Sequence, residues 1–314
     1  MAFYNPVGST GLVTSSFLAS QGIFPSPGAQ VLYVGNSTTL TLLGIGSSNG
    51  NSGLSPTEPM NTLFGTTGAL TKCVSGRGDV VIILPGHSET ITAVGTTSVN
   101  DVQIVGCQTG NARPIFLVNG AVDLFSLTGN NILLANLQLS LVTTDAATAF
   151  VNIAGSGCKL SNLLMIGSDT GINVVDAITL ATGSNSTVIE NCIGFNTTVA
   201  INSWISIEAA VARCNFRGNT FRGDLVTAGI IDSATATQLI IENNKIVTIG
   251  TNIPGCILDS NPTGQAYGNH MYGTDATIAN NAQWGTALIL GDNFTRGGTG
   301  SSVSASDVIP ALDT

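Results

Sequence analysis

The segment Val188-Ile189-Glu190-Asn191-Cys192-Ile193 recurs in altered form along the chain, for example as Ile240-Ile241-Glu242-Asn243-Asn244. Six asparagines at matching places are separated by 26, 29, 24, 28 and 26 residues: Asn136, Asn162, Asn191, Asn215, Asn243 and Asn269. Their mean spacing is about 27 residues, and a fixed period of this length is typical of repeat architectures.

A second column of residues has the same period. It follows pairs of apolar residues and contains Asp176, Asn202, Asp232 and Asp259, at steps of 26, 30 and 27 residues. Two columns with one period indicate a true repeat. Short runs of Val, Ile and Leu alternate with Gly, Asn, Ser and Thr, and no long segment has the 3.6-residue period of a helix.

A repeat of this length with several short strands and no helix predicts an all-β fold, a right-handed parallel β-helix of about eight coils. Leucine-rich repeats have a similar length, but their sequence pattern is missing here. Asparagine tolerates the left-handed backbone of a sharp turn, and stacked asparagine side chains can hydrogen-bond along the axis. We therefore expect the six asparagines to form a structural ladder at the turns.

The composition is that of a weakly charged chain, and it excludes several classes of protein. Only 9% of the 314 residues are charged, 38 are glycine, and the mean hydropathy is +0.37. No apolar run approaches the ~18 residues of a membrane helix, so we expect no membrane partner. Nine basic residues stand against eighteen acidic ones without forming a cluster, which argues against nucleic acid as a partner.

Cysteine and histidine give no sign of a metal or a cofactor. The six cysteines stand singly, without the spacing of a zinc or redox site, so we expect free buried thiols. His87 and His270 are the only histidines, and neither has neighbours with ligand spacing. The first residues lack a basic segment followed by an apolar run, so we expect no secretory signal.

Four segments divide the chain: an N-terminal arm (1–45), a linker with a short capping helix from Met60 to Cys73 (46–79), the β-helix (80–296) and a C-terminal tail (297–314). A capping helix would block strand pairing at the end of the stack. We expect the apolar residues of the arm to dock onto a partner or a neighbouring subunit, the alternative being that the arm covers the first coil. These residues are Phe3, Tyr4, Phe17, Phe24, Leu32 and Tyr33.

The sharpest candidates for catalysis are Asp232 and Asp259. If they occupy equivalent places on adjacent coils, their carboxylates lie about 5 Å apart, the separation that retaining glycosidases use. The same oxygen atoms would also suit Ca2+. The interpretation that we favour is that both residues end a strand and bond the following turn. Glu190, Arg213 and Glu242 also fall at matching places and predict an ion-pair ladder on the surface.

Two features near the start of the β-helix have structural interpretations. Arg77-Gly78-Asp79 would suit cell adhesion, but this turn leads into an apolar strand from Val80 to Leu84. His87 is expected to cap the turn after that strand. No nucleophile–base grouping and no phosphate-binding loop is present in the sequence.

Residues 46–94 carry a family resemblance. The strings NGNSGLSPTEPMNTL (49–63) and GDVVIILPGHSETI (78–91) resemble the opening of right-handed β-helix proteins of the pectate-lyase-like superfamily, in the form common among tailed-phage virion proteins. The remaining coils match by pattern only. Members of this superfamily include lyases, glycosidases, phage tailspikes and trimeric proteins that decorate or cement capsids.

The resemblance and the scarcity of catalytic residues predict a structural virion protein without enzymatic activity. We expect a homotrimeric capsid decoration or cement protein that binds the major capsid protein, needs no cofactor, and lies on the capsid surface after assembly in the host cytoplasm. One alternative is a tailspike or fibre that binds or hydrolyses host polysaccharide, with Asp232 and Asp259 as its acid/base pair. Another is a bacterial surface adhesin or lyase.

Overall fold

A computed structural model describes residues 18–19, 25–36, 44–107, 112–142, 147–167, 174–196, 201–250, 253–273, 282–284 and 287–296. Four members of the predicted arm (Phe3, Tyr4, Phe17 and Phe24) and the predicted tail 297–314 lie outside these residues. Within the described ranges, no helix is long and apolar enough to cross a membrane.

The described chain consists mainly of strands, with a 3-10 helix at Ala69–Lys72 and a helical pair of residues at 18–19. The strands in chain order are β1 (Val31–Val34), β2 (Val80–Ile83), β3 (Ser88–Ile91), β4 (Thr96–Thr97), β5 (Gln103–Gly106), β6 (Ile115–Val118), β7 (Phe125–Leu127), β8 (Leu133–Ala135), β9 (Gln138–Leu141), β10 (Ala147–Ile153), β11 (Lys159–Ser161), β12 (Leu164–Ile166), β13 (Val174–Leu180), β14 (Val188–Glu190), β15 (Ile193–Phe195), β16 (Ile201–Ile207), β17 (Val211–Ala212), β18 (Asn215–Arg217), β19 (Thr220–Asp232), β20 (Ala236–Thr237), β21 (Leu239–Glu242), β22 (Lys245–Ile249), β23 (Cys256–Ile257), β24 (Gly264–Tyr267), β25 (His270–Gly273), β26 (Ala282–Gln283), β27 (Leu288–Gly291) and β28 (Phe294–Arg296).

These strands stack into three long parallel sheets that run along one axis. Sheet A has the order β1-β2-β5-β8-β11-β14-β18-β21-β24-β27. Sheet B contains β3, β6, β9, β12, β15, the first half of β19, β22, β25 and β28. Sheet C contains β4, β7, β10, β13, β16, the second half of β19, β23 and β26. Most coils therefore contribute one strand to each of these sheets, which confirms the predicted parallel β-helix, while β17 and β20 pair separately.

The register of sheet A shows how the repeat builds the core. Val80 reaches Ile289 in eight in-register steps, about 26 residues each, in agreement with the predicted number of coils. Leu134, Leu160, Ile189 and Phe216 stack on consecutive coils, and each is fully buried. Burial of one apolar side chain per coil from each sheet is the main stabilising contribution.

The turn from sheet A to sheet B corrects part of the predicted asparagine column. Asn136, Asn162, Asn191 and Asn243 do share one place, with φ between 52° and 58°. Asn215, however, begins β18, and two glycines take the turn on the coils that begin with β18 and β24: Gly218 and Gly268, with φ of 63° and 64°. Both residue types adopt the left-handed conformation, and a search for asparagine alone misses the glycines.

A true asparagine ladder lies one residue further along the chain. Asn219, Asn244, Asn269 and Asn293 follow the turn on four consecutive coils and are buried. The Nδ2 of each of the first three residues donates to the Oδ1 of the next residue of the ladder at 2.9–3.0 Å, and its backbone N–H donates to the same Oδ1 at 3.0–3.1 Å. Asn269, predicted in the turn, therefore belongs to this ladder.

Part of the predicted arm belongs to the first coil. Strand β1 pairs in parallel with β2, with Leu32 beside Val81 and Tyr33 beside Ile82. Leu32 is 1% exposed in the main core, and Tyr33 is 7% exposed in a smaller apolar cluster on the other face of the strand. The prediction that these two residues dock onto a partner is thus corrected, because the strand buries both faces within its own chain.

The predicted capping helix is reduced to the single turn Ala69–Lys72. The chain before it is held in turns because the Glu89 carboxylate accepts the backbone N–H groups of Leu63, at 2.7 Å, and Phe64, at 3.2 Å. Met60 also bridges to Val34 of β1. These bonds satisfy the donors that a longer helix would have used.

Candidate functional site

One flank of sheet C gathers polar and acidic side chains across consecutive coils. Its strands β10, β13 and β16 each have seven residues, the longest in the solenoid apart from β19. Trp204 of β16 is fully buried and stacks on Phe221 of sheet B, with ring centroids 5.4 Å apart. This packing fills the widened interior and supports the strands that carry the polar groups.

Asp176 on β13 is the best-held carboxylate of this flank. It is 4% exposed and lies in register with Ser203 of the next coil. Its Oδ1 accepts hydrogen bonds from Ser203 Oγ at 2.6 Å and Asn202 Nδ2 at 2.9 Å. Asn202 Oδ1 in turn accepts from Thr227 Oγ1 at 2.5 Å. The network spans three coils and fixes the orientation of the carboxylate.

Asp123 and Asn152 extend the polar flank toward the N-terminal end. Asn152 Nδ2 donates to Asp123 Oδ2 at 2.9 Å. The Oδ1 atoms of both residues are shielded from solvent and have no hydrogen-bond partner among the described residues. A buried acceptor without a donor is unusual in a folded protein.

Glu208 follows β16 and is an exposed carboxyl group at the end of this strand. Partial burial raises its pKa above the usual range, and the charges of Asp176 and Asp123 raise it further. Glu208 is exposed and lies five residues beyond Ser203, the residue that pairs with Asp176, so it stands further along the strand direction than Asp176 does. We call Asp123, Asn152, Asp176, Asn202, Ser203, Glu208 and Thr227 the sheet C site.

The predicted pair of Asp232 and Asp259 is not formed in the expected register. Ile230 and Ile231 pair with Cys256 and Ile257, so the same register places Asp232 beside Leu258, one residue before Asp259. The predicted column fails at Asp176 as well, since Asp176 pairs with Ser203 rather than Asn202. Because loops between coils differ in length, apparent spacing along the chain does not set the register.

Asp232 instead occupies an inward position. It pairs with Ile207, which follows Leu180 and Ile153 in a buried apolar row. Ser260 N donates to its Oδ1 at 3.2 Å, while Oδ2 is buried without a partner among the described residues. Burial raises the pKa of this carboxyl group, and the nearby charge of Asp259 adds to the rise.

The outer face of sheet A carries the ion-pair ladder, with one correction. Glu190 is followed in register by Arg217 and Glu242, rather than by Arg213. Arg217 Nη2 lies 2.6 Å from Glu190 Oε2, and Tyr267 donates its hydroxyl hydrogen bond to Glu242 on the next coil. Arg213 lies in a turn and donates to Ser186. The ladder links opposite charges along the axis and shows no catalytic grouping.

A cavity of about 500 Å3 opens on the same outer face of sheet A. It is lined by apolar and amide or hydroxyl side chains without an ionisable group: Gln238, Leu239, Ile240, Thr263, Gly264, Gln265, Ala287 and Ile289. Acid/base chemistry needs titratable groups. The sheet C site therefore remains the candidate for catalysis.

The remaining motifs have structural roles. Arg77 Nε lies 2.6 Å from Asp79 Oδ1, and Asp79 is 1% exposed. The two charged side chains of the adhesion-like tripeptide therefore pair with each other. This ion pair is part of the turn before β2, as the sequence predicted. His87, predicted to cap a turn, is instead fully buried, with Nε2 3.2 Å from Glu89 Oε2 and its ring against Phe116.

The cysteines are free and shielded. All six lack disulfide bonds, and four of them are buried. Burial raises the pKa of Cys73 to about 12 and that of Cys107 to about 11, so neither forms a thiolate readily at neutral pH. Among the described residues, no three His, Cys, Asp or Glu side chains are grouped so as to hold a metal ion.

Comparison with known proteins identifies the fold. No protein-family model matches the sequence, and no curated protein matches it. The crystal structure of pectate lyase Pel9A superposes with a TM-score of 0.54 at 15% identity, covering 91% of this chain and 74% of that chain. A rhamnogalacturonan lyase gives a TM-score of 0.51 at 14% identity, covering 85% of this chain and 74% of that chain. The chain thus has a fold like that of the pectate-lyase-like β-helices.

These two structures contradict the prediction that the chain is not an enzyme, since both are polysaccharide lyases. The prediction rests on the family resemblance, the apolar arm, the length of the chain and the scarcity of catalytic residues in the sequence. At such low identity the likeness concerns the fold alone, and activity has to be argued from the site. The sequence did hold one signal for Glu208: it follows a buried strand end, Ile205-Ser206-Ile207, much as Asp259 follows Ile257-Leu258.

Proposed function

We propose that this protein binds a polysaccharide along sheet C and hydrolyses its glycosidic bonds at the sheet C site. The observation that carries the proposal is the row of polar groups on consecutive coils, in which Ser203 and Asn202 of β16 hold the Asp176 carboxylate and the exposed Glu208 follows the same strand. Glycoside hydrolysis needs two carboxyl groups in different protonation states. Groups whose environments separate their pKa values mark such acid/base pairs.

Glu208 is the proton donor in this proposal. Its raised pKa keeps the carboxyl group protonated over a wider pH range, so it can protonate the glycosidic oxygen while the bond from that oxygen to the sugar carbon breaks. Asp176, held by Ser203 and Asn202, takes the proton of the water that attacks that carbon. The reaction consumes one water molecule and returns both carboxyl groups to their starting state once the proton is exchanged.

The length of the site favours a polymer. Asp123, Asn152, Asp176, Asn202 and Thr227 belong to five consecutive coils, which lie about 4.8 Å apart. The polar flank therefore runs for about 19 Å along the axis. An extended sugar chain lying parallel to the axis would contact all five coils, whereas a single sugar would contact about two.

We expect Glu208→Gln to lower kcat/KM for polysaccharide hydrolysis by about 100- to 10,000-fold, because the proton donor is lost. The measurement is the release of reducing ends, with Glu58→Gln as the matched control, since Glu58 is exposed and far from sheet C. The alkaline limb of the pH profile, which Glu208 sets in the native protein, should disappear from the residual activity of Glu208→Gln.

Asp176→Asn should cause a loss of similar size, and Asp259→Asn should cause none. Equal activity of Glu208→Gln and the native protein would overturn the proposal. A loss confined to Asp232→Asn and Asp259→Asn would restore the pair predicted from sequence and would likewise overturn the assignment made here.

The place of this protein in a phage particle stays a prediction from the sequence resemblance. Because the proposed activity is hydrolysis of a polysaccharide, it agrees better with a tailspike or fibre than with a capsid decoration protein. Cryo-EM of purified virions, with the mass of the isolated protein in solution, tests location and the predicted trimer together. Regular density over the shell would favour decoration of the major capsid protein, and density at the tail would favour the tailspike.

A further inference from the structure

The outward side of sheet B differs in charge from the rest of this acidic chain. Two columns of outward residues follow its strands in register, between buried residues such as Phe221, Ile246 and Met271. Neither column contains an aspartate or a glutamate: the first is Ser88, Ile115, Gln138, Leu164, Ile193, Thr220, Lys245, His270 and Phe294, and the second is Thr90, Leu117, Ser140, Ile166, Phe195, Arg222, Val247 and Tyr272. The chain as a whole has eighteen acidic residues against nine basic ones, so this surface stands out.

Two cations lie on adjacent coils of this surface. Arg222 and Lys245 are both exposed, and Lys245 is in register with Thr220, two residues before Arg222. Neither belongs to an ion pair among the described residues. The bordering acids are Asp224, which is half-buried two residues after Arg222, and Asp292, in the turn before β28. The two cations are therefore available to the negative charge of a partner.

Three aromatic rings continue the surface on the next two coils. His270 follows Lys245 in register, and Phe294 follows His270. The ring centroids of His270 and Phe294 are 5.9 Å apart, and that of Tyr272 lies 6.4 Å from the first and 5.7 Å from the second. His270 is exposed, and the other two rings are half-buried. Aromatic side chains beside a few charged groups are a common lining of ligand sites.

We infer that Arg222, Lys245, His270, Tyr272 and Phe294, which we call the sheet B patch, bind an anionic polysaccharide without cleaving it. The two cations pair with carboxylate or sulfate groups, and the aromatic rings pack against the apolar faces of sugar rings. The patch extends over four consecutive coils, about 14 Å along the axis, which suits several sugars of a polymer. It contains no carboxyl group, whereas glycoside hydrolysis requires two.

The composition of the patch favours a glycan over a nucleic acid. Nucleic acids carry a phosphate at every nucleotide, and their binding relies on many cations that neutralise these phosphates. Two exposed cations suit the sparser charges of an acidic glycan. The patch lies on a different face from the sheet C site, so the inference is independent of the proposed hydrolysis.

The test measures binding by affinity electrophoresis in Glu208→Gln, so that the proposed hydrolysis does not degrade the probes. The anionic glycans are alginate, hyaluronate and heparin, the neutral glycan is dextran, and the other polyanions are polyglutamate and single-stranded poly(dT). We expect at least one anionic glycan to bind about tenfold more tightly than dextran, polyglutamate or poly(dT). Its affinity should fall as salt is added, because salt screens exposed charges.

Matched variants locate the binding surface. Arg222→Glu should weaken binding of the anionic glycan by about tenfold or more. Arg213→Glu changes the net charge equally but lies in a turn outside sheet B, so it should leave binding unchanged. Tyr272→Ala should also weaken binding, whereas Tyr267→Ala, which removes an exposed tyrosine of sheet A, should not. An unchanged Tm shows that each variant is folded.

Each contrary result overturns a stated part of the inference. Equal losses in Arg222→Glu and Arg213→Glu would mean that net charge alone governs binding, and they would overturn the location on sheet B. Equal binding of polyglutamate or poly(dT) would overturn the assignment to a glycan, and equal binding of dextran would overturn the role of charge. Absence of binding to all three anionic glycans at millimolar sugar overturns the inference, whatever the hydrolysis assay of Glu208→Gln shows.

Discussion

At the scale of single residues, Asp232 shows how the fold tolerates a charge in an apolar row. It replaces the aliphatic side chains of Ile153, Leu180 and Ile207 on the preceding coils. Burial raises the pKa of the carboxyl group, and only Oδ1 has a partner, the N–H of Ser260. Ionisation of this group therefore weakens the folded state rather than strengthening it.

The sign of the pH effect follows from this raised pKa. Below the ordinary value of 3.8 the carboxyl group is protonated in both the folded and the unfolded chain, and it imposes no penalty. As the pH rises through the raised value, the unfolded chain ionises more readily and the folded state loses stability. Asp232→Asn should raise Tm by about 2 °C at pH 7 and should lose this advantage below the ordinary pKa.

Thermal unfolding of both proteins across this pH range checks the prediction. Glu58→Gln serves as the control, because Glu58 is exposed and lies in the segment before the first coil, so its replacement should leave the pH dependence unaltered. An advantage of Asp232→Asn that persisted unchanged at acid pH would show that a packing effect, and not the charge, is responsible.

At the scale of elements, the turn between sheets A and B contains two columns of residues with different structural requirements. Positions such as Asn243 need a left-handed backbone, which asparagine or glycine supplies. Positions such as Asn244 need an amide that accepts bonds from one coil and donates to the next. The first column tolerates exchange between the two residue types, whereas the second requires the amide.

Asn244→Ala should destabilise the protein by about 2 to 4 kcal/mol, because it leaves the buried N–H groups of Asn219 without their acceptor. Asn243→Gly is the matched control on the adjacent residue. It should change stability by less than about 1 kcal/mol, since glycine already serves at Gly218 and Gly268. Denaturant unfolding measures both, and equal losses would argue against a special role for the ladder.

At the scale of the whole molecule, the solenoid has to close the apolar end of its first coil. The segment from Met60 to Lys72 does so, held by the Glu89 carboxylate beneath it. Met60 and Leu63 are fully buried there. In a stack where each coil contacts only its neighbours, the end coil opens first unless such a cap covers it.

Glu89→Ala should therefore loosen the first coil before the rest of the molecule. We expect amide hydrogen exchange of residues 60–73 to accelerate by at least tenfold, while exchange in the central coils stays unchanged. Glu58→Ala, in the same segment but exposed, is the control. Uniform acceleration throughout the chain would indicate global unfolding and would contradict a local clamp.

Much of the architecture could be predicted because it depends on local pattern. Alternating apolar residues, a period of about 27 and turn-forming asparagines are each visible in segments such as Val188 to Ile193. The predicted capping helix was wrong because Glu89, distant in sequence, supplies acceptors to the segment. The non-enzymatic prediction was wrong on other grounds, since two structures that share the fold are polysaccharide lyases.

The repeat period, the composition of the strands and the turn-forming residues could be predicted from the sequence alone, because each is a property of neighbouring residues. The pairing of Asp123 with Asn152 and of Asp176 with Asn202 could not be predicted, because these residues lie on different coils and become neighbours only through the strand register. That register is set by packing and hydrogen bonding between coils. Loops of unequal length conceal it from any count along the chain, as the displacement of Asp232 from Asp259 shows.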